Sequence, residues 1–146
     1  MAGKAAKVVW QGDMTFEGFG STYPDGKVVF DSDESVGGHN QGFRPLEMLL
    51  IGLAGCTAMD VISILKKKKQ DVTGFEVAVE GLQAAEHPKY YTDITVVYRV
   101  TGRNVDPKAV DRAIELSETK YCGASAMLRE KANISHRVEI YEAETV

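Results

Sequence analysis

Cys56 and Cys122 are the side chains of this 146-residue chain best suited to chemistry, and they lie 66 residues apart. No CxxC motif joins them and no paired histidines accompany either one. Two cysteines this far apart make neither a disulfide framework nor a metal site. His39, His87 and His136 are scattered without ligand spacing, and no metal or other cofactor is expected. Thiol chemistry or plain packing remain, because a free cysteine also serves as a small buried hydrophobe. Cys56, taken alone, fits packing. Cys122 differs. It stands at a break between two helical patterns, where the next segment's free N–H groups and the neighbouring Lys120 would lower its pKa.

The element that must position Cys56 is a long helix, expected over Arg44–Gln70 and apolar almost all the way round. Leu46, Leu50, Leu53, Thr57, Val61 and Ile64 follow helical spacing on one face. Met48, Ile51, Met59 and Ile62 cover much of the rest. A helix of this kind is central to a core or crosses a membrane. Only twelve residues separate Glu47 from Asp60, whereas a span needs about 20 predominantly apolar residues, so a membrane is not expected. Lys66 to Lys69 end the helix with cations at the negative pole of its dipole. Met1 to Lys7 shows no secretory pattern, and the expected location is the cytoplasm.

Apolar content of 44% and charged content of 26% fit one globular domain, expected over residues 1–146. A net charge of -4 speaks against a general nucleic-acid binder, and the lysine run 66–69 lacks interleaved aromatics.

Around the helix the pattern is α+β. Lys7–Trp10, Met14–Phe19 and Lys27–Asp31 are β-prone, with a Pro24-Asp25-Gly26 turn between the last two. Asp31 to Phe43 is a loop of thirteen residues, and loops of that length inside a domain are often functional. Gly74–Ala85 and Thr92–Thr101 alternate as half-buried strands joined through His87-Pro88, with His87 a turn residue. A second helix opens at Asp106-Pro107, an N-cap acid followed by proline. Tyr121-Cys122-Gly123 interrupts it, Ser125–Ala132 resumes a helical pattern, and Ile134–Ile140 is a final strand. The expected architecture is a curved antiparallel sheet wrapped on a buried central helix. A helix of about 25 residues, roughly 37 Å long, exceeds what one sheet of short strands covers. A homodimer pairing two such helices, brought close by Gly52, Ala54, Gly55 and Ala58, resolves this.

The segments GFRPLEMLLIGLAGCTAMD and KYCGASAML, in that order and separation, resemble the OsmC/organic hydroperoxide resistance family over nearly the whole chain. The resemblance implies an intertwined OsmC-like dimer with active sites at the interface. It also implies a thiol peroxidase, with Cys56 peroxidatic and Cys122 resolving. An organic hydroperoxide would be the substrate, and a dithiol such as a lipoylated protein would be the reductant. Active members pair an arginine from the amino-terminal hairpin with a glutamate directly after the helix-opening proline. Here Leu46 follows Pro45, Glu47 comes one residue later, and no arginine precedes Arg44. Arg44 and Glu47 are therefore the candidates for that pair. Cys56 lies roughly 16 Å along the helix from Pro45, so Arg44 would have to come from a neighbouring subunit. A surface pairing of Arg44 with Glu47 or Glu34 is the plainer alternative. Asp60, one turn beyond Cys56, is expected to bond a backbone donor or a basic residue, and Thr57 to bond back to its own helix. Against catalysis stand two other readings, a small-ligand binding module and a redox-sensing or purely structural dimer.

Overall fold

The computed structural model describes residues 3–144. They form two compact units, one ending at Leu49 and the other beginning at Leu50, with the boundary inside the long helix. In the first unit, β1 (Ala6–Gly12), β2 (Thr15–Gly20) and β3 (Val28–Phe30) make an antiparallel sheet in that order. A single turn of 3-10 helix, Glu34–Val36, lies in the loop that follows. Asp33 caps this turn and Gly37 ends it in the left-handed region, at φ 89°.

The second unit has β4 (Asp71–Gln83) and β5 (Tyr91–Arg103), which form a long antiparallel hairpin. The connection between them passes through a cis His87–Pro88 peptide. Helix α2 (Pro107–Leu116) starts as its sequence signature dictates, with the Asp106 carboxylate accepting the Lys108 N–H at 3.0 Å. A π-helical turn, Ser117–Tyr121, widens its end, and α3 (Gly123–Leu128) follows. β6 (Asn133–Glu142) then pairs with β5 in parallel.

The fold is therefore α+β around a long helix, as expected, but the wholly antiparallel wrap is corrected to two separate three-stranded sheets. The parallel pair has a simple cause. α2 and α3 form a crossover between β5 and β6, and a crossover returns the chain in the direction of the strand it left. As the middle strand, β5 is flanked on both edges and buries Val96, Val97 and Tyr98 in succession, not in the half-buried alternation expected.

The long helix, α1 (Pro45–Lys67), contributes Leu53, Thr57, Val61 and Leu65 as its buried row. These residues are one turn apart, so they share a face. Leu53, Val61 and Leu65 meet Ile94, Val96, Tyr98 and Val100 of β5 and Val110, Ala113 and Ile114 of α2 in one core. Each such aliphatic side chain contributes about 1.5–3 kcal/mol on burial. The rest of the circumference is not covered within the chain: Leu49, Ile51 and Met59 are exposed, Met59 at 74%. This fits the expectation that one domain of short strands does not surround the helix.

The length argument against a membrane span is corrected too. An 18-residue window of α1 reaches mean hydropathy 2.1 with no more than two charged residues, and only 22% of it is buried. Counting uncharged residues stops at Asp60, whereas one or two charges do not offset so many leucines, isoleucines and methionines in a window average.

Candidate active site

The second unit brings the two cysteines together. Cys56 is half-buried near the middle of α1 and packs against the core. Cys122 is 3% exposed and stands between the π turn and α3. Both are free thiols, and Cys56 packs against the core cluster that contains Cys122. Burial pushes the Cys122 thiol up to about 11, and the neighbouring Cys56 adds to that. The helix-start donors expected from the sequence are present: the Ser125 N–H lies 3.3 Å from Cys122 Sγ, and the Ala124 N–H also pulls the pKa down. They are outweighed, so the expectation of a lowered Cys122 pKa is corrected to a raised one. Lys120 does not reverse this, because its ammonium lies over the Tyr121 ring, 5.3 Å from the centroid. A small cavity of ≈ 110 Å³, lined by Glu118, Tyr121, Cys122 and Arg129 among others, opens beside this thiol.

Beneath the thiols lies a chain of buried hydroxyls. Thr57 Oγ1 is 2.8 Å from Tyr98 OH and 2.8 Å from Ser117 Oγ. Tyr98 OH donates to Glu118 Oε1 at 3.2 Å, and Ser117 Oγ donates to Asp60 Oδ2 at 2.9 Å. Thr57, Tyr98 and Ser117 are each at most 1% exposed. His136 extends the chain outward, with Nδ1 3.1 Å from Glu118 Oε2 and its ring edge-on to Tyr98 at 5.9 Å. Arg129 clasps the π turn to α3 through the Glu118 carbonyl and Ser125 Oγ, the latter at 2.8 Å. Burial holds the Tyr98 phenol far above its ordinary pKa, with Glu118 contributing in the same direction, so it stays a neutral donor. Thr57 thus bonds across the core and not back to its own helix, and Asp60 accepts from a serine hydroxyl and not from a backbone or basic donor.

Arg44 and Glu47 are engaged in the first unit. The Glu47 carboxylate accepts the Arg44 N–H at 2.8 Å, the return half of a capping box at the start of α1. The Arg44 guanidinium donates to the Asp31 and Gly42 carbonyls and to Asn40 Oδ1. Loop 31–43 is organised by Asp31, whose carboxylate accepts the N–H groups of Ser32, His39 and Gln41. Burial works against the charged carboxylate, but these three donors prevail and keep its pKa below the usual value. Gly38 is required in this loop, since a Cβ there would come 2.0 Å from the Ser32 carbonyl oxygen.

The family described as OsmC-like protein matches residues 38–137, which include both cysteines, Arg44, Glu47 and the hydroxyl chain. This chain belongs to the OsmC-like family. Protein YhfA of Escherichia coli (strain K12) is 36% identical over 138 residues, which cover 94% of this chain and 98% of that protein. A hypothetical protein of Aquifex aeolicus VF5 has a solved structure with TM-score 0.85 and 30% identity, covering 99% of this chain and all of that one. An organic hydroperoxide resistance protein OsmC from Legionella pneumophila shares the fold, with TM-score 0.71 at 14% identity, over 95% of this chain and 98% of that one.

Of the candidate residues of this OsmC-like chain, the structure unites Cys56 with Cys122 and Arg44 with Glu47. Sequence reasoning missed Tyr98, Ser117 and Glu118 as parts of the thiol surroundings. A tyrosine in an alternating strand and a serine ending an amphipathic helix carry no local mark of their partners. The signal that existed was Thr57, a polar residue on the face that buries Leu53, Val61 and Leu65.

Proposed function

We propose that this OsmC-like protein is a thiol-dependent hydroperoxide reductase of oxidative stress defence, cytoplasmic and homodimeric. Cys56 is its peroxidatic cysteine and Cys122 its resolving cysteine. One observation carries the reading: two free thiols 66 residues apart in sequence pack in the same core cluster, near enough for Cys56 to raise the Cys122 pKa. Attack of the Cys56 thiolate on ROOH, with uptake of one proton, gives Cys56 sulfenic acid and ROH. The Cys122 thiol condenses with the sulfenic acid, releasing water and forming the disulfide. An external dithiol, of the lipoylated-protein kind, returns both thiols and leaves as its own disulfide. The apolar residues around Cys56 favour an organic hydroperoxide over hydrogen peroxide.

The uncovered residues of α1 support the dimer, as do Gly52 and Gly55, each with open space where a Cβ would stand. A second copy of α1 would cover both. Arg44 and Glu47 assist Cys56 only across such a dimer in this reading; within their own unit they shape the loop and the helix start.

Their engagement there, together with Leu46 at the position after Pro45, favours a second reading, a binder of small hydrophobic ligands without turnover. One equivalent of cumene hydroperoxide separates the two. The reductase forms a Cys56–Cys122 disulfide, replaced in Cys122→Ser by sulfenic acid at Cys56, both read by peptide mass. Two intact thiols, with ligand affinity that survives Cys122→Ser, would overturn the reductase and leave the binder.

A further inference from the structure

Ser117 touches both cysteine-bearing segments. Its Oγ lies 2.8 Å from Oγ1 of Thr57, the residue after Cys56, and its carbonyl accepts the Cys122 N–H at 2.7 Å. The second bond exists because the turn is π-helical. An α-helical ladder would direct the Cys122 N–H to the carbonyl four residues back, whereas the wider turn reaches Ser117, five back. Tyr98 secures the other side, with its phenol oxygen 2.8 Å from Thr57 Oγ1. Three hydroxyls in a dry core cost more to desolvate than aliphatic groups of the same size, so packing alone does not account for them.

We propose that Ser117, Thr57 and Tyr98 form a positioning device that holds the Cys56 and Cys122 thiols at disulfide-forming distance. The proposal rests on reading the two cysteines as a redox pair, but not on peroxide as their oxidant. Held in register, two thiols react as one molecule, with a high effective concentration toward each other.

The proton inventory chooses the variant. Tyr98 donates to Glu118 and Ser117 donates to Asp60, so neither depends on Thr57 to place its proton, and the one Thr57 hydroxyl proton goes to one of the two oxygens it touches. Thr57→Val therefore removes the central hydroxyl, keeps the side-chain shape and leaves no orphaned donor. Thr57→Ser keeps the hydroxyl.

The test is the equilibrium between the 146-residue dithiol and its disulfide in buffers of reduced and oxidised dithiothreitol, quantified by mass. Two electrons and two protons pass from the Cys56 and Cys122 thiols to the cyclic dithiothreitol disulfide, which opens to the dithiol. The expected result is an equilibrium constant for the protein disulfide about three- to tenfold lower in Thr57→Val, the loss of one hydrogen bond. Thr57→Ser should stay near wild type. Leu65→Val, a core change about two turns of α1 beyond Thr57, should leave the constant unmoved, whereas a merely structural role for Thr57 would let both variants shift alike. Ser117→Ala, which retains the carbonyl bond to Cys122, replaces Thr57→Val if that variant does not fold. An unchanged constant in Thr57→Val or its replacement overturns the device, as does a wild type that forms no Cys56–Cys122 disulfide at any ratio. Constants that shift as expected in a protein that ignores cumene hydroperoxide would leave the device standing and overturn the reductase.

Discussion

The two three-stranded sheets use similar residues to opposite effect. In the second unit, β5 places Val96, Val97, Tyr98 and Val100 at no more than 2% exposure. In the first, β1 leaves Val8, Val9 and Trp10 at 58%, 42% and 64%. An apolar groove of ≈ 560 Å³ lies open on that sheet, lined by Val8, Phe19, Val28 and Phe30 among others. Hydrophobicity is the same in kind, and the difference is supply of partners. β5 has a strand on each edge, and its residues share a core with those of α1 and α2, whereas β1 is an edge strand. Exposed apolar surface of this kind belongs with association, as the proposed second copy would provide.

The largest expected effect tests whether chemistry belongs to the second unit alone. Cys56→Ser should abolish reduction of cumene hydroperoxide, measured as loss of peroxide in the presence of excess dithiol. Residual turnover above the uncatalysed rate would move the peroxidatic role elsewhere.

Stability comes next. Ile114→Ala removes a fully buried side chain and should cost about 2–5 kcal/mol in urea denaturation, the range for such core truncations. Trp10→Ala, on the open sheet, should stay within about 0.5 kcal/mol in a monomer. A cost for Trp10→Ala that grows with protein concentration would sharpen the contrast, because it would show the second copy covering that sheet.

Reactivity separates the units as well. With its pKa pushed up to about 11 by burial, Cys122 at pH 8 should alkylate at least about a hundredfold more slowly than an ordinary exposed thiol. The rate should climb with pH toward 11. Val8→Cys on β1 is the internal reference, monitored with iodoacetamide and peptide mass spectrometry, which reads each cysteine separately with Cys56 in place. Equal rates at the two positions would refute the buried thiol.

The smallest effect is a surface pair in the first unit. His39 Nε2 lies 2.7 Å from Asp13 Oδ2. That hydrogen bond raises the His39 pKa against the opposing effect of burial, with the charges of Asp13, Asp31 and Glu34 adding to it. A raised histidine pKa stabilises the fold fully below the unfolded value, about 6.5, and the contribution is lost as pH rises through the folded value. Asp13→Asn should bring the His39 titration, followed by proton NMR, back toward 6.5. No change on that substitution would mean the pair does not persist in solution.

Much of this arrangement was legible in the chain because it is written locally. β-prone runs, alternating stretches and helical periods marked the strands and α-helices in order, but not the 3-10 turn Glu34–Val36. Asp106-Pro107 announced the start of α2, and Tyr121-Cys122-Gly123 marked the break after it. Glu47 three residues after Arg44 is a local pairing too, and it forms in the first unit. Cys56 and Cys122 could be matched only by resemblance to a family, since nothing in the 65 intervening residues measures distance in space.

What the sequence determined by itself was therefore the element order, the central apolar helix and the α+β class, each depending on residues a few positions apart. Tertiary structure decided the rest. It made β6 parallel to β5, buried one row of α1, and turned Thr57 across the core to Tyr98 and Ser117, 41 and 60 residues away. It also reversed the expected shift at Cys122. Local N–H donors are visible in a sequence, but the desolvation that outweighs them depends on every element packed around the thiol.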